Sequence, residues 1–239
     1  MGKHYLIDYE YLVDEKSLHA TMGHLLVFNP SQDDADVRLT FYFEEEPPKS
    51  IQVSVPAGVS KETNYANWPV QPGMRFALEV DSTIPVACQS TVGWNNSGND
   101  YSPTAATRSP HGVRETAKSY MSITKLAKDW YLPDGIVIDG VDMCYIRESE
   151  WAVMLNPGEQ TANVTMNMCM ATRQRHVVQV PAKRLGVVYM DDVVKRNAHY
   201  GVHFHSNSPI AVQWLRAVNW YDKPELMAFW SVAPATELV

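Results

Sequence analysis

The chain has 239 residues, of which 45% are hydrophobic and 20% charged, so its composition is that of a folded globular protein and excludes wholesale disorder. Twenty basic residues against 27 acidic ones give a net charge of −7, which argues against a general nucleic-acid binder. No apolar run approaches a membrane span, and the acid-containing N-terminal stretch does not read as a signal peptide, so a cytoplasmic protein without membrane insertion is expected.

Taken in chain order, the first half reads as short strands separated by turns. Tyr5-Leu6 opens the series, and Leu25-Leu26-Val27-Phe28 runs into the turn Asn29-Pro30-Ser31. Val37-Arg38-Leu39-Thr40-Phe41-Tyr42-Phe43 alternates apolar and polar positions, the period of a half-buried strand. Glu44-Glu45-Glu46 precedes Pro47-Pro48 and reads as a solvated turn. Ile51-Gln52-Val53-Ser54-Val55 alternates again, and Pro72-Gly73 marks another turn. Pro85-Val86-Ala87-Cys88-Gln89 leads to a loop near 95–116 that is rich in Asn, Ser, Gly and Pro. This loop reads as a surface excursion, a lid, or an arm reaching another subunit.

The second half repeats the first. Leu25–Pro30 is echoed by Ala152–Pro157, Val53–Ala57 by Val178–Ala182, Pro85–Gln89 by Pro209–Gln213, and Tyr5-Leu6 by Tyr131-Leu132. Four matches in one order, at offsets of 124 to 127 residues, point to a duplicated domain. The strand Val164–Met170 carries methionine at its inward positions. The fold expected is all-β, two tandem antiparallel β-sandwich domains of jelly-roll type over 1–128 and 129–239. The junction near 127–133 contains Trp130 and Tyr131, so it reads as packed rather than as a flexible linker.

Cys88, Cys144 and Cys169 are odd in number and widely spaced, without a CxxC pair, so neither a disulfide framework nor a structural zinc site is expected. Cys88 and Cys169 read as small side chains packed in strands.

These motifs resemble the sensory rhodopsin transducer family. The resemblance rests on Asn156–Thr165, Val180-Pro181-Ala182 and Ser208–Arg216, and in the first half on Asn29–Val37, Val55-Pro56-Ala57 and Ile84–Gln89. It implies a small all-β sandwich for each half, assembly as a homo-oligomer, and a binding role for which sugars are a suggested ligand class; carrying two copies in one chain departs from the family's usual pattern. A photoreceptor-transducer role rests on the family name alone.

Three groups of residues carry candidate chemistry. His203 and His205 sit at i and i+2 of a strand, so both imidazoles project from one face and could share a zinc or similar divalent ion. His199 falls before that strand, no acidic residue stands at a compelling spacing, and His4, His19, His24 and His111 are only conceivable further ligands. The matching first-half positions are Glu79 and Asp81. Gln213 and Arg216, flanking Trp214, could read sugar hydroxyls or a carboxylate; the first half keeps Gln89 but has Val92 where Arg216 would be. Trp94 with Tyr101, beside the polar loop, is the preferred stacking platform. No GxSxG elbow or Gly-rich phosphate loop occurs. The function expected is non-enzymatic ligand binding or adaptor work toward a carbohydrate, polyol or protein partner; the alternative is a small metal-dependent enzyme, or an accessory subunit of one, using the His-x-His pair.

Overall fold

The computed structural model describes residues 2–11, 13–14, 19–71, 73–95, 115–139, 146–170, 173–194, 198–220 and 227–231. The chain forms two compact units, one of Met1–Phe43 with Pro48–Thr124 and the other of Lys125–Val239 with Glu44–Pro47. The coarse expectation holds: the described residues are almost entirely antiparallel β structure.

In the first unit, β1 (Lys3–Tyr11), β2 (Val13–Asp14), β3 (His19–Phe28), β4 (Ala35–Phe43), β5 (Lys49–Val55), β6 (Ser60–Asn64), β7 (Met74–Ser82), β8 (Ala87–Asn95) and β9 (Glu115–Met121) make two sheets. One has the order β1-β7-β4-β5; the other has β2-β3-β8-β9, with β6 also paired to β3. Both sheets contribute their apolar faces to one core. Leu6, Leu39, Phe41, Phe76 and Leu78 come from the first sheet, and Leu25, Val27 and Cys88 from the second. Trp68 closes the core edge-on against Phe76, and its indole N–H is satisfied by Thr63 Oγ1 at 2.9 Å. The alternation read in Val37–Phe43 appears as alternate burial along most of β4, because successive side chains leave a strand on opposite faces.

The second unit contains β10 (Ala127–Asp139), β11 (Ile146–Asn156), β12 (Ala162–Cys169), β13 (Gln174–Val180), β14 (Arg184–Tyr189), the short helix α1 (Met190–Val193), β15 (Ala198–Trp220) and β16 (Met227–Ser231). Its strand order repeats that of the first. β10, the first part of β15, β12 and β13 follow one another as β1, β7, β4 and β5 do. β11 pairs with the second part of β15, with β14 on the other side of β11 and β16 on the other side of β15, as β3 pairs with β8, with β6 also on β3 and β9 on β8. Met166 and Met168 are buried inward positions of β12, as read.

The units differ where they pass from one sheet to the other. In the first, the chain leaves the strand between Ser82 and Ala87. In the second, β15 runs unbroken for 23 residues. β12 pairs with it as far as Ser206 and β11 takes over at Ala211. Pro209 falls in that gap, where its missing N–H costs no ladder bond.

The repeated Asn-Pro turn is a buried peg. Asn29 Nδ2 donates to the carbonyls of Asp33, Val55 and Pro56 at 2.8, 3.0 and 3.3 Å. Asn156 Nδ2 donates to Gln160, Val180 and Pro181 at 2.8, 2.9 and 3.1 Å. A carboxamide suits this place because two N–H donors and a carbonyl can satisfy a buried turn that no ladder reaches. The turn after each Val-Pro-Ala needs a left-handed residue. Gly58 fills it at φ 67° in the first unit, and Lys183 at φ 56° in the second.

Some boundaries need correction. The compact units divide between Thr124 and Lys125, just before the segment 127–133, which itself opens β10. Trp130 is buried there, and its indole N–H donates to the carbonyls of Ala127 and Ile210 within the second unit. Asn95 and Glu115 are strand ends, and loop residues 96–114 lie outside the described residues. His199 lies within β15, opposite Ile136, rather than before it. Cys88 is buried, and desolvation pushes its thiol up to about 12, whereas Cys169 is exposed rather than packed; Cys144 lies outside the described residues.

Candidate metal-binding cluster and its counterpart

His203 and His205 do share one face of β15, and β10 supplies the acidic partner that spacing did not reveal. In the ladder, Asp129 stands opposite His205 and Tyr131 opposite His203. On the other side, β12 places Thr165 opposite His205 and Asn167 opposite His203. Both imidazoles converge on a single carboxylate oxygen. His203 Nε2 lies 2.9 Å from Asp129 Oδ1, and His205 Nδ1 lies 2.8 Å from the same atom. The carboxylate accepts from both rings. These hydrogen bonds, from His205 first and then His203, hold the Asp129 carboxyl below its ordinary value. The three donor atoms lie within 4.8 Å of one another.

The cluster sits on an open sheet face. The His203 side chain is 31% exposed, Asp129 45% and His205 55%. Tyr131 lies flat on His203, with ring centroids 4.5 Å apart and planes 2° from parallel, and so limits rotation of that imidazole. Asp129 was missed because it comes 74 residues before His203, in a segment read as a junction. A signal lay in the sequence match of Tyr5 to Tyr131: two residues before each, Lys3 stands opposite Asp81 and Asp129 opposite His205.

The same positions in the first unit carry different chemistry. Glu79 and Asp81 replace the histidines, and each meets a permanent cation. Lys3 Nζ lies 2.6 Å from Glu79 Oε1, and Arg38 Nη2 lies 2.6 Å from Asp81 Oδ2. Glu79 is buried and also accepts from the Tyr42 hydroxyl at 3.3 Å. Burial, followed by the charges of Glu79 and Asp81, pushes the Tyr5 phenol up to about 12. Beside Asp81 lies a depression of about 570 Å³ lined by Asp36, Arg38, Gln52, Asp81, Ser82 and Thr83. His4 and His24 are engaged within this unit, with Ser122 and Glu62 respectively. His19 is placed only as a strand position, and His111 lies outside the described residues.

Of the other sequence-derived candidates, Gln89, Gln213 and Trp214 lie at neither place. Gln89 is an exposed residue of β8 opposite Leu26. Gln213 is buried opposite Val153. Trp214 is fully buried, packed against Tyr200 and Phe204, so it presents no face for stacking on a ligand. Arg216 is placed by its backbone opposite Glu150, and Trp94 by its backbone opposite Thr21. Tyr101 lies outside the described residues. Glu150 itself was not anticipated. It is fully buried in β11, accepting from the Tyr200 hydroxyl and from the Ile136 N–H.

No family model matches the chain, and neither does any curated protein. Two solved structures show weak, fold-level likeness. The crystal structure of Thermotoga maritima 1070 is 17% identical, with a TM-score of 0.39, over 52% of this chain and 93% of that one. The Anabaena sensory rhodopsin transducer is 21% identical, with a TM-score of 0.31, over 37% of this chain and 94% of that one.

Proposed function

We propose that the chain is a non-enzymatic binding or adaptor protein, built from two duplicated transducer-like β-sandwich units and assembled as a cytoplasmic homo-oligomer, with a small polyhydroxylated molecule such as a carbohydrate as its ligand. The observation that carries the ligand class is the polar depression of the first unit. Its lining combines two carboxylates, a guanidinium, a carboxamide and two hydroxyls, a mixture of donors and acceptors that matches a polyol better than an apolar or singly charged ligand. The repeated strand order and the twin asparagine pegs support the duplication. The test is calorimetric titration with a panel of neutral mono- and disaccharides. Saturable binding that is lost in Gln52→Ala is the expected result, and no binding across the panel overturns the ligand class. The same titration on Gln89→Ala and Gln213→Ala tests the sequence-derived ligand residues. A strictly monomeric mass by light scattering overturns the oligomer.

A second reading is a small metal-dependent enzyme, or an accessory subunit of one, working through His203 and His205. The observation that favours it is Asp129, which adds a third donor to the pair. Activity that survives both chelation and His203→Ala overturns this reading.

A further inference from the structure

We propose that Asp129, His203 and His205 bind one divalent ion of the zinc, nickel and copper class on the open face of the second unit. The inference rests on the same histidines as the second reading above, but it claims binding and requires no catalysis.

Three features of the cluster carry it. The first is convergence. Surface histidines commonly pair with a carboxylate one at a time, whereas here two imidazole nitrogens from one strand meet a single oxygen from its neighbour, and the three atoms lie within 4.8 Å. An ion held at about 2.0 to 2.2 Å from N and O ligands in a tetrahedral site needs donors about 3.3 to 3.5 Å apart. Replacing the two N–H···O contacts by an ion therefore asks the carboxylate to recede by about half an ångström and the two ring nitrogens, which lie within 4.8 Å of each other, to close to the same spacing by side-chain rotation. Asp129 is 45% exposed and has room to move that far.

The second feature is preorganisation. The histidines lie on β15, which is paired on both sides over this stretch, with β10 and with β12. Their separation is thus fixed by the sheet and not by a loop. Tyr131 further restrains the His203 ring by stacking on it. Binding requires each histidine to carry its proton on the ring nitrogen facing away from Asp129, leaving the inward lone pair free.

The third feature is the donor set. Two imidazoles and one carboxylate suit borderline transition ions, while magnesium and calcium favour all-oxygen sites. The set has three protein ligands on a solvent-facing surface, so the remaining coordination position falls to water.

The test uses untagged full-length protein stripped with a chelator and then dialysed. Zinc is titrated by calorimetry, and cobalt(II) by its visible absorption, which reports coordination geometry. The expected result is one ion per chain, undisturbed by excess magnesium or calcium. Affinity should fall by about 100-fold in His203→Ala and in His205→Ala, and remain unchanged in His199→Ala. Thermal melts of both alanine variants close to that of the parent confirm that the fold survives. The proposal is overturned if no saturable uptake occurs, if both alanine variants bind like the parent, or if His24→Ala abolishes uptake in their place. Saturable zinc binding without any metal-dependent activity upholds the site and sinks the enzyme reading. Saccharide binding by the stripped protein is measured separately and bears on neither.

Discussion

The two units place different chemistry at the same ladder positions. In the first, Lys3 on β1 faces a pair of carboxylates on β7, and Arg38 on β4 takes the second of them. In the second, the signs are rearranged: the carboxylate, Asp129, has moved to β10, and β15 carries imidazoles. The difference lies in what each arrangement leaves available. A carboxylate matched to lysine or arginine is already neutralised by a cation that does not give up its charge at ordinary pH. A neutral imidazole keeps a lone pair that a metal ion can use. The first unit therefore presents an ion-paired face and the second a face whose donors a metal ion can reach.

The largest expected effect comes from copying one face onto the other. In the fourfold substitution Asp129→Lys, Thr165→Arg, His203→Glu and His205→Asp, the second unit takes on the first unit's ion-pair arrangement, Thr165 standing opposite His205 as Arg38 stands opposite Asp81. Saturable zinc uptake should disappear completely while the circular dichroism spectrum stays that of the parent. Retained uptake would mean that the face of the second unit is not what distinguishes it.

The asparagine pegs test how alike the two units are. Asn29→Ala and Asn156→Ala each remove donors to three carbonyls. Each should cost roughly 2 to 4 kcal/mol, since buried acceptors are left unsatisfied. Denaturant unfolding checks this, and strongly unequal costs would break the equivalence.

Lys3→Met leaves the buried Glu79 carboxylate with only Tyr42 among its described side-chain partners. Lys3 itself is 49% exposed, so the loss should be about 1 to 2 kcal/mol, less than for a fully buried pair. The left-handed turn should show a smaller effect of opposite sign in the two units. Gly58→Ala costs about 1 kcal/mol, whereas Lys183→Gly gains up to about 1 kcal/mol by relieving a conformation that L-residues disfavour.

The smallest effect is a pH dependence that His4 gives the first unit. Burial holds the His4 imidazole below its ordinary value of 6.5, so the folded state favours the neutral ring. That contribution is complete above pH 6.5 and is lost as pH falls through the lowered value. The acid limb of the stability curve should flatten in His4→Gln, and an unchanged limb would show that His4 does not contribute to it.

Much of the fold was legible because strands announce themselves by period two and turns by Asn-Pro and Pro-Gly. The alternation of Val37–Phe43 and the inward methionines of β12 were readable for that reason. The His203–His205 pair was readable because it is local: two residues apart on a strand means one face. Asp129 was not, because a cross-strand neighbour is set by register, and nothing near His203 in the chain specifies it. Trp214 misled because an aromatic beside polar residues looks the same whether its strand position faces core or solvent. Glu150 was invisible for a similar reason: a lone acid in a strand reads as outward-facing, and the Tyr200 hydroxyl and the Ile136 amide, which help make its burial tolerable, come from other strands.

The unbroken course of β15 has a consequence for how the second unit opens. Its 23 residues span a contour of roughly 75 Å, and both sheets hang on that one strand. Transient opening of one sheet must therefore disturb the ladder that serves the other. Amide protons on β10, β12 and β11 should exchange with deuterium as a single cooperative block. In the first unit the chain leaves the sheet between Ser82 and Ala87, and the β7 and β8 amides are free to exchange as two separate blocks with different protection.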